Sequence, residues 1–230
     1  MKIGIVGANG FVGGALCRSA IKKNCDFIQV TRQNFQENKS EEFDILINSA
    51  MPSKRYWASS HPLEDFDASV RLTAELIYEW KYKKFIQISS IEANYNHIPY
   101  AVNKRSAEII VSLIKSSLIV RLCALYGKGL NKGALYDLIH NNPLYVDIDS
   151  VYNYLDTDWC ADWIMNNLDK IGLIEIGAKD TITLKEIADK FGIKPNCQGE
   201  RKEIVFTEKI PENMPSAYEV LNFVEKQIKK

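Results

Sequence analysis

The chain has 230 residues, enough for one large hydrophobic core or for a core with a small appendage. Its 29 Lys and Arg residues balance 29 Asp and Glu residues, so net charge gives no reason to expect a nucleic-acid or membrane partner. The five cysteines form no Cys-x-x-Cys pair and the three histidines are scattered, so we expect free thiols and no metal site.

Targeting and membrane segments are not expected. The opening "MKIGIVGANG" is broken by glycine and asparagine where a signal peptide would carry its apolar core. No apolar run approaches the length of a membrane span. These features predict a soluble, cytoplasmic protein.

The first 126 residues alternate between strand and helix patterns. Strands are predicted at residues 2–6, 26–30, 43–50, 84–90 and 117–127. Helices are predicted at 11–23, from Asp67 or Ser69 to 81, and at 99–115. A loop or one frayed turn is predicted at 31–42, and a loop at 51–65. This alternation predicts an α/β fold with a doubly wound parallel sheet of the Rossmann type.

The remaining residues contain shorter elements. Helices are predicted in 131–142, 157–168, 184–191 and 215–230, and strands at 143–148, 172–178 and 203–207. Thr183 and Glu186 have the spacing of a capping box, and Gly192 is suited to end that helix.

The stretch "GANGFVG", Gly7 to Gly13, lies between the first strand and the first helix. In such a turn the first glycine permits the tight bend, the second lets a pyrophosphate approach the backbone, and the third lets helix and strand pack closely. The N–H groups of the helix start then face the anion. The pattern predicts a dinucleotide site, with a packing turn that binds no ligand as the alternative. The predicted cofactor-binding residues of this turn are Gly7, Asn9, Gly10, Phe11, Val12 and Gly13.

The division of the chain follows from this motif. We predict a dinucleotide-binding Rossmann core over residues 1–126 and a smaller substrate-binding lobe over 127–230. The lobe is expected to return one strand, at about 172–178, to the sheet.

The second strand ends in Thr31 and Arg32, where an NAD site usually has an acidic residue for the ribose hydroxyls. A guanidinium at this position suits a 2′-phosphate, because it can pair with phosphate oxygens through two hydrogen bonds. The sequence therefore favours NADP over NAD. The alternative is that Arg32 is a solvated loop cation.

The stretch "PYAVNKRSAE", residues 99–108, carries Tyr100 four residues before Lys104. Residues at this spacing share one face of a helix. Two interpretations remain open from these residues alone: an exposed helix with an amphipathic tyrosine, or a proton donor whose pKa is lowered by the neighbouring ammonium.

Taken together, the motifs resemble the extended short-chain dehydrogenases/reductases, in the NAD(P)-dependent epimerase/dehydratase family. The resemblance covers about residues 1–191 and rests on "GANGFVG", "INSAMP", "FIQISS", "PYAVNKRSAE" and "IVRLCALYGKG", with weaker matches in "YLDTDWCADWI" and "IEIGAKDTITLKEIA".

The resemblance implies roles for particular residues. Ser90 would bind a substrate oxygen, Tyr100 would exchange a proton with it, and Lys104 would hold the nicotinamide ribose and stabilise the phenolate. Ser89 is the alternative serine. Ser49 and Ala50 would line the cofactor, which is NADP or NAD. The family also implies a small-molecule substrate and a homodimer formed by the helices at about 68–81 and 99–115. Leu76, Ile109 and Leu113 are candidate contacts, with packing against the sheet as the alternative.

The sequence departs from the family pattern at several places. Only ten positions separate Ser90 from Tyr100, and the stretch between Arg32 and Phe43 lacks a usual strand and helix. Ser69 stands where the family commonly has asparagine, and Val151 or a neighbour where it has the arginine for a diphosphate. The remaining candidates for that role are Lys128, Lys132 and Arg201. Candidate aromatic walls for a sugar or base, with ordinary packing as the alternative, are Trp57, Tyr95, Tyr126, Tyr152 and Tyr154.

We therefore expect an NAD(P)-dependent oxidoreductase or epimerase that transfers hydride at a carbonyl or hydroxyl carbon of a sugar-derived or nucleotide-sugar metabolite, with Tyr100 as acid/base. The alternative on the same fold is a non-catalytic NAD(P)-binding sensor or a structural subunit. The intact set of Ser90, Tyr100 and Lys104 disfavours that alternative.

Overall fold

The computed structural model describes residues 1–94, 98–205, 211 and 213–229. The chain divides into two compact units. The first comprises Met1–Arg121 and Ala161–Ile174, and the second comprises Leu122–Cys160 and Glu175–Lys230. Within the described residues, no helix is both long and apolar enough to cross a membrane.

Strands and helices alternate up to Leu122. The strands are β1 (Lys2–Val6), β2 (Asp26–Val30), β3 (Glu42–Asn48), β4 (Lys81–Ser90) and β5 (Ser117–Leu122). The helices are α1 (Phe11–Lys22), α2 (Phe35–Asn38), α3 (Arg55–Ser60), α4 (Pro62–Phe66), α5 (Leu72–Glu79) and α6 (Pro99–Ser112). A π-helical turn, Asp67–Arg71, joins α4 to α5, and a 3₁₀ turn, Ile91–Asn94, follows β4.

Shorter elements follow. The strands are β6 (Leu125–Tyr126), β7 (Val151–Tyr152), β8 (Leu155–Asp156), β9 (Gly172–Ile176), β10 (Ile182–Thr183) and β11 (Glu203–Ile204). The helices are α7 (Ala134–Ile139), α8 (Thr157–Asn166), α9 (Leu184–Phe191) and α10 (Val220–Ile228). The expected capping box of Thr183 and Glu186 is present at α9, and Gly192 ends that helix in the left-handed conformation.

The main sheet has six strands in the order β2-β1-β3-β4-β5-β9. The pairs β1–β2, β1–β3 and β3–β4 are parallel. The chain passes from β1 to β2 on one side and then returns to β3 on the other side. In parallel sheets, this reversal opens a crevice at the carboxyl ends of the two central strands, where ligands bind. The predicted α/β fold with a doubly wound parallel sheet is confirmed.

The core of the first unit explains the apolar runs in β1, β3 and β5. Phe43, Leu46 and Phe85 are buried in one cluster with Leu76 and Trp80 of the α5 region. Strands of a parallel sheet are covered on both faces, so alternation with polar residues is lost. Leu76 is fully buried, so of the two alternatives open for it, packing in the core applies and a dimer contact does not.

One loop prediction and one strand prediction are wrong. Residues 51–65, predicted as a loop, contain α3 and α4. The buried positions there are occupied by Ala58 and Asp65, whereas Tyr56 and Leu63 are exposed, so no apolar stripe marks the helices. The predicted strand at 143–148 is absent among the described residues, which have only an isolated bridge between Leu144 and Cys197 there.

Candidate functional site

The glycine turn after β1 is shaped by two close approaches that leave no space for side chains. Gly7 has φ +81°, and a Cβ atom added to it would lie 2.7 Å from the Ala50 Cα atom. A Cβ atom on Gly13 would lie 2.1 Å from the Gly7 carbonyl oxygen. The first and third glycines are therefore required by the backbone, as the motif predicts.

The remaining turn residues form the start of α1. Asn9 and Gly10 are exposed, and the N-cap residue Gly10 supplies no side chain to the first turn of the helix. Phe11 and Val12, which follow, are half-buried. The first amides of a helix have no partner within the helix. The turn thus offers open N–H groups to an anion, and its geometry fits the pyrophosphate of a dinucleotide.

The end of β3 forms the opposite side of the crevice. The Ser49 hydroxyl donates a hydrogen bond to the Val6 carbonyl oxygen at 2.6 Å, and the Ala50 N–H donates to Asn48 Oδ1 at 3.1 Å. Asn48 Nδ2 in turn donates to Gln87 Oε1 at 3.1 Å. Sequence analysis missed Asn48, although "INSAMP" contains it; it cross-links the ends of β3 and β4.

The turn after β2 carries Thr31 and Arg32. Asn34 Oδ1 accepts hydrogen bonds from the Thr31 N–H at 2.7 Å and from its hydroxyl at 3.1 Å. Asn34 Nδ2 donates to the Gln29 carbonyl oxygen at 2.9 Å. Asn34, which sequence analysis also missed, therefore fixes this turn. The Arg32 side chain is exposed, and no other described residue pairs with it, so its guanidinium is accessible to a ligand phosphate.

Ser90, Tyr100 and Lys104 are brought together in the structure. Ser90 ends β4, and Pro99 opens the helix α6 that carries the other two residues. The Ser90 hydroxyl lies beside the Tyr100 phenol and acts to lower its pKa. Lys104 is 4% exposed, and its Nζ atom lies 5.2 Å from the centroid of the Tyr100 ring. The i,i+4 spacing thus produces a buried pair rather than an exposed amphipathic face.

The two neighbouring serines have different surroundings. The Ser89 hydroxyl donates a hydrogen bond to Glu108 Oε1 at 2.6 Å, and Arg121 Nη2 lies 2.7 Å from Glu108 Oε2. Successive side chains of a strand point to opposite faces. The Ser89 hydroxyl is therefore bound to a buried ion pair, whereas Ser90 lies beside the Tyr100 phenol.

The electrostatic surroundings of Tyr100 differ from the expectation. Burial raises the pKa of the Tyr100 phenol, and the negative charges of Glu92 and Asp65 raise it further. The hydrogen bond from Ser90 and the positive charge of Arg55 act in the opposite direction, but they are outweighed. Lys104 was expected to lower this pKa. In the chain alone the pKa is raised instead, which favours the protonated phenol.

The candidate diphosphate ligands lie in the second unit. Lys128 and Lys132 are exposed, and Val151 is in β7. Arg201 Nη2 pairs with Glu203 Oε1 at 2.8 Å, and Arg201 Nε donates to the Asp149 carbonyl oxygen at 3.3 Å. Arg201 is thus already engaged within its own unit.

Most of the candidate aromatic walls belong to the cores. Tyr126, Tyr152 and Tyr154 are buried, and the rings of Tyr152 and Tyr154 stack with 4.9 Å between their centroids. The Trp57 ring stacks on the His61 ring, with 5.2 Å between their centroids. Tyr95 lies outside the described residues. Ordinary packing therefore accounts for the three buried tyrosines.

Metal ligands and disulfides are not found where the chain is described. No group of three or more His, Cys, Asp or Glu side chains there is arranged to hold a metal ion. The five cysteines are free thiols, of which Cys17, Cys123 and Cys160 are buried.

A sequence profile of the NAD-dependent epimerase/dehydratase family matches residues 3–141. The chain belongs to this family. Membership agrees with the cofactor expected from the glycine turn, NADP or NAD. No protein of curated function matches the sequence significantly.

Solved structures with the same fold include three nucleotide-sugar enzymes. UDP-glucose 4-epimerase of Thermotoga maritima, with UDP-glucose, is 15% identical over 100% of this chain and 98% of that chain, with a TM-score of 0.78. dTDP-4-dehydrorhamnose reductase of Bacillus anthracis, with NADP, is 17% identical over 98% of each chain, with a TM-score of 0.75. UDP-glucuronic acid 4-epimerase of Bacillus cereus, with UDP-glucuronic acid and NAD, is 18% identical over 100% of this chain and 97% of that chain, with a TM-score of 0.73.

The glycine turn yields a paired prediction. Gly13→Ala should abolish the thermal stabilisation of the chain by NADP and NAD, because the new methyl group would have to displace the Gly7 carbonyl. Gly14→Ala is the matched control: its Cβ atom would lie 3.5 Å from the flexible Arg18 guanidinium, an ordinary contact, so cofactor binding should persist. Cofactor titration monitored by thermal melting checks both variants. Equal cofactor shifts in the two variants would contradict the assignment of the turn.

Proposed function

We propose that this chain is an NADP-dependent oxidoreductase or epimerase that acts on a carbonyl or hydroxyl carbon of a sugar-derived metabolite. The observation that carries the proposal is the contact of Ser90 and Lys104 with the buried Tyr100 phenol. Because β3 and β4 are parallel, Ser90 lies at the same edge of the sheet as Ser49 and Ala50, which flank the glycine turn.

Each of the three side chains has a role that follows from its chemistry. The Ser90 hydroxyl orients the substrate oxygen, and the Tyr100 phenol gives a proton to that oxygen or takes one from it. The Lys104 ammonium binds the nicotinamide ribose and stabilises the phenolate when it forms. A bound nicotinamide supplies or accepts the hydride.

Arg32 supports NADP as the cofactor. Its guanidinium is exposed and unpaired among the described residues, and Asn34 fixes the backbone that presents it. A guanidinium binds phosphate oxygens through two hydrogen bonds. The fold itself accommodates both cofactors, since the Bacillus anthracis reductase was solved with NADP and the Bacillus cereus epimerase with NAD.

The substrate class is inferred from relatives and from charge. The similar structures bind or act on UDP-linked and dTDP-linked sugars. This chain has no arginine between Arg121 and Arg201, and Arg201 pairs with Glu203. A nucleotide-linked substrate would therefore depend on Lys128 and Lys132 for its diphosphate, and a smaller sugar-derived carbonyl compound needs neither.

Arg32→Ala is expected to weaken NADP binding and to leave NAD binding unchanged, because only NADP carries the 2′-phosphate. Loss of a charged hydrogen-bonding partner costs about 1.5–3 kcal/mol, or about 10- to 150-fold in Kd. Isothermal titration with both cofactors checks this. Lys115→Ala, which removes another exposed cation of the same unit, is the control and should alter neither affinity. Equal loss of NADP and NAD binding in Arg32→Ala would contradict a phosphate contact.

Tyr100→Phe is expected to lower turnover about 10²- to 10⁴-fold, the usual contribution of a general acid or base, because phenylalanine has no proton to exchange. Cofactor affinity should stay close to that of the parent. The measurement is NADPH consumption with a panel of sugar-derived ketones and aldehydes, free and nucleotide-linked. Ser89→Ala serves as the comparison, since Ser89 is bound to Glu108 and should retain most activity in a variant that stays folded. Full turnover in Tyr100→Phe would end the proposal.

We also propose a homodimer in which α6 contacts its symmetry mate. Ile109 on this helix and Leu113 at its C-cap are 59% and 71% exposed, an apolar surface that pairing would cover. Leu113→Glu should convert a dimer into a monomer in sedimentation equilibrium, whereas Lys115→Glu, at the exposed neighbouring position, should leave the association unchanged. A monomeric parent chain at micromolar concentration would contradict the dimer.

A further inference from the structure

The side of α6 that carries Tyr100 faces a carboxylate that the roles proposed above do not use. Asp65, on α4, is fully buried. Its Oδ2 atom accepts a hydrogen bond from Asn103 Nδ2 at 2.8 Å, and its Oδ1 atom has no hydrogen-bond partner among the described residues. A buried carboxylate with one bond is costly to keep, since burial penalises a charge that is not fully paired. Its position beside the reactive helix calls for an explanation other than stability.

Asn103 connects this carboxylate to the reactive group. It lies on α6 three residues after Tyr100 and directly before Lys104, and it is itself buried. A second buried carboxylate, Glu92, follows β4 and pairs with Arg55 Nη1 at 3.0 Å. The Tyr100 side of α6 thus has one carboxylate, Glu92, with a cationic partner and another, Asp65, whose hydrogen-bond partner among the described residues is an amide.

We propose that Asp65 is a positioning residue for Tyr100: its carboxylate fixes α4 to α6 through Asn103 and places a negative charge on the side of α6 that carries the phenol. This inference rests on the proposed function, because it concerns the acid/base group of that reaction. A negative charge nearby disfavours the phenolate, so Asp65 holds Tyr100 as the neutral phenol. The effect agrees in direction with the raised pKa of Tyr100, to which burial contributes most and to which Glu92 and Asp65 add.

The other charged groups on the elements around α6 leave this assignment intact. On the Tyr100 side, the charges of the described residues are those of Asp65, Glu92, Arg55 and Lys104. The charged groups of the neighbouring elements that pair with one another are Arg71 with Asp67, Lys39 with Glu75 and Glu79, Lys81 with Glu42, Lys83 with Asp44, and Arg121 with Glu108. Of the rest, Lys84 donates to the Lys170 carbonyl oxygen, Arg105 lines a groove on the Glu108 side of α6, and Glu64 is exposed.

The inference assigns a direction to the chemistry. A phenol that is held protonated is prepared to donate. In that direction, hydride passes from the reduced nicotinamide to the carbonyl carbon, and the Tyr100 proton passes to the carbonyl oxygen. The C=O group becomes CH–OH, the cofactor becomes oxidised, and the phenolate that remains is reprotonated from solvent. Asp65 thus favours the protonation state of Tyr100 from which carbonyl reduction begins.

The test measures the ionisation of one tyrosine without any need for turnover. Incorporating 3,5-difluorotyrosine in place of Tyr100 makes the phenol more acidic, and ¹⁹F NMR then reports the titration of that ring alone among the 11 tyrosines. Asp65→Asn keeps the shape of the side chain and an acceptor for Asn103 but removes the charge. Because a negative neighbour raises the pKa of a phenol, its removal should move the titration to lower pH, by on the order of one pH unit.

Glu64→Gln is the matched control, because it removes the same charge from the adjacent, exposed position of α4 and should leave the titration in place. Circular dichroism verifies folding, and Asp65→Ala replaces Asp65→Asn if the latter does not fold. An unchanged titration in the Asp65 variant, or an equal shift in Glu64→Gln, overturns the inference. Failure of the proposed function is seen separately, as lack of NADP binding or turnover in the parent chain, and leaves this titration readable.

Discussion

The site depends on a close contact between two backbone segments. Gly7 follows β1 with a positive φ, and its Cα atom faces Ala50, which follows β3, across a gap too small for any side chain. Gly13 packs still closer to the Gly7 carbonyl oxygen. These contacts draw the start of α1 onto the carboxyl ends of the two strands at which the chain reverses direction. A phosphate-binding turn and the end of β3 thereby share one crevice.

Around this frame, several buried polar groups form linked sets. Asn48 bonds Gln87 on the neighbouring strand, and Ser89 joins the ion pair of Glu108 and Arg121. Each set satisfies hydrogen-bonding groups that would be costly to leave unpaired. The Tyr100 side of α6 differs, because one Asp65 oxygen has no hydrogen-bond partner among the described residues. Hydrogen bonding is therefore more complete on the Ser89 side of α6 than on the Tyr100 side, where the proposed reactive group lies.

Sequence analysis recovered the parts of the molecule whose signals are local. The strands β1 to β5, the glycine turn and the capped helix α9 each have an apolar run, a spacing or a cap that one stretch of chain contains. The helices α3 and α4 were missed because their buried positions include the polar Asp65 and the small Ala58, so the apolar period that marks a helix is broken. Asn34 and Asn48 were missed because their importance lies in bonds to Thr31 and Gln87, and a sequence pattern does not show those partners. The protonation of Tyr100 was misjudged for a related reason: the i,i+4 lysine is visible in the sequence, whereas the burial and the distant carboxylates are not.

The short connection after β2 has a consequence for solubility. Because only the four-residue helix α2 separates β2 from β3, β2 is the outermost strand on that side of the described sheet. An outermost strand presents main-chain groups to which a foreign strand can add, which is a route to aggregation. The chain limits this hazard in two ways. Asn34 Nδ2 donates a hydrogen bond to the Gln29 carbonyl oxygen, and the exposed side chains of Asp26 and Gln29 are polar. The asparagine that shapes the proposed cofactor turn therefore also shields the strand from edge-to-edge association.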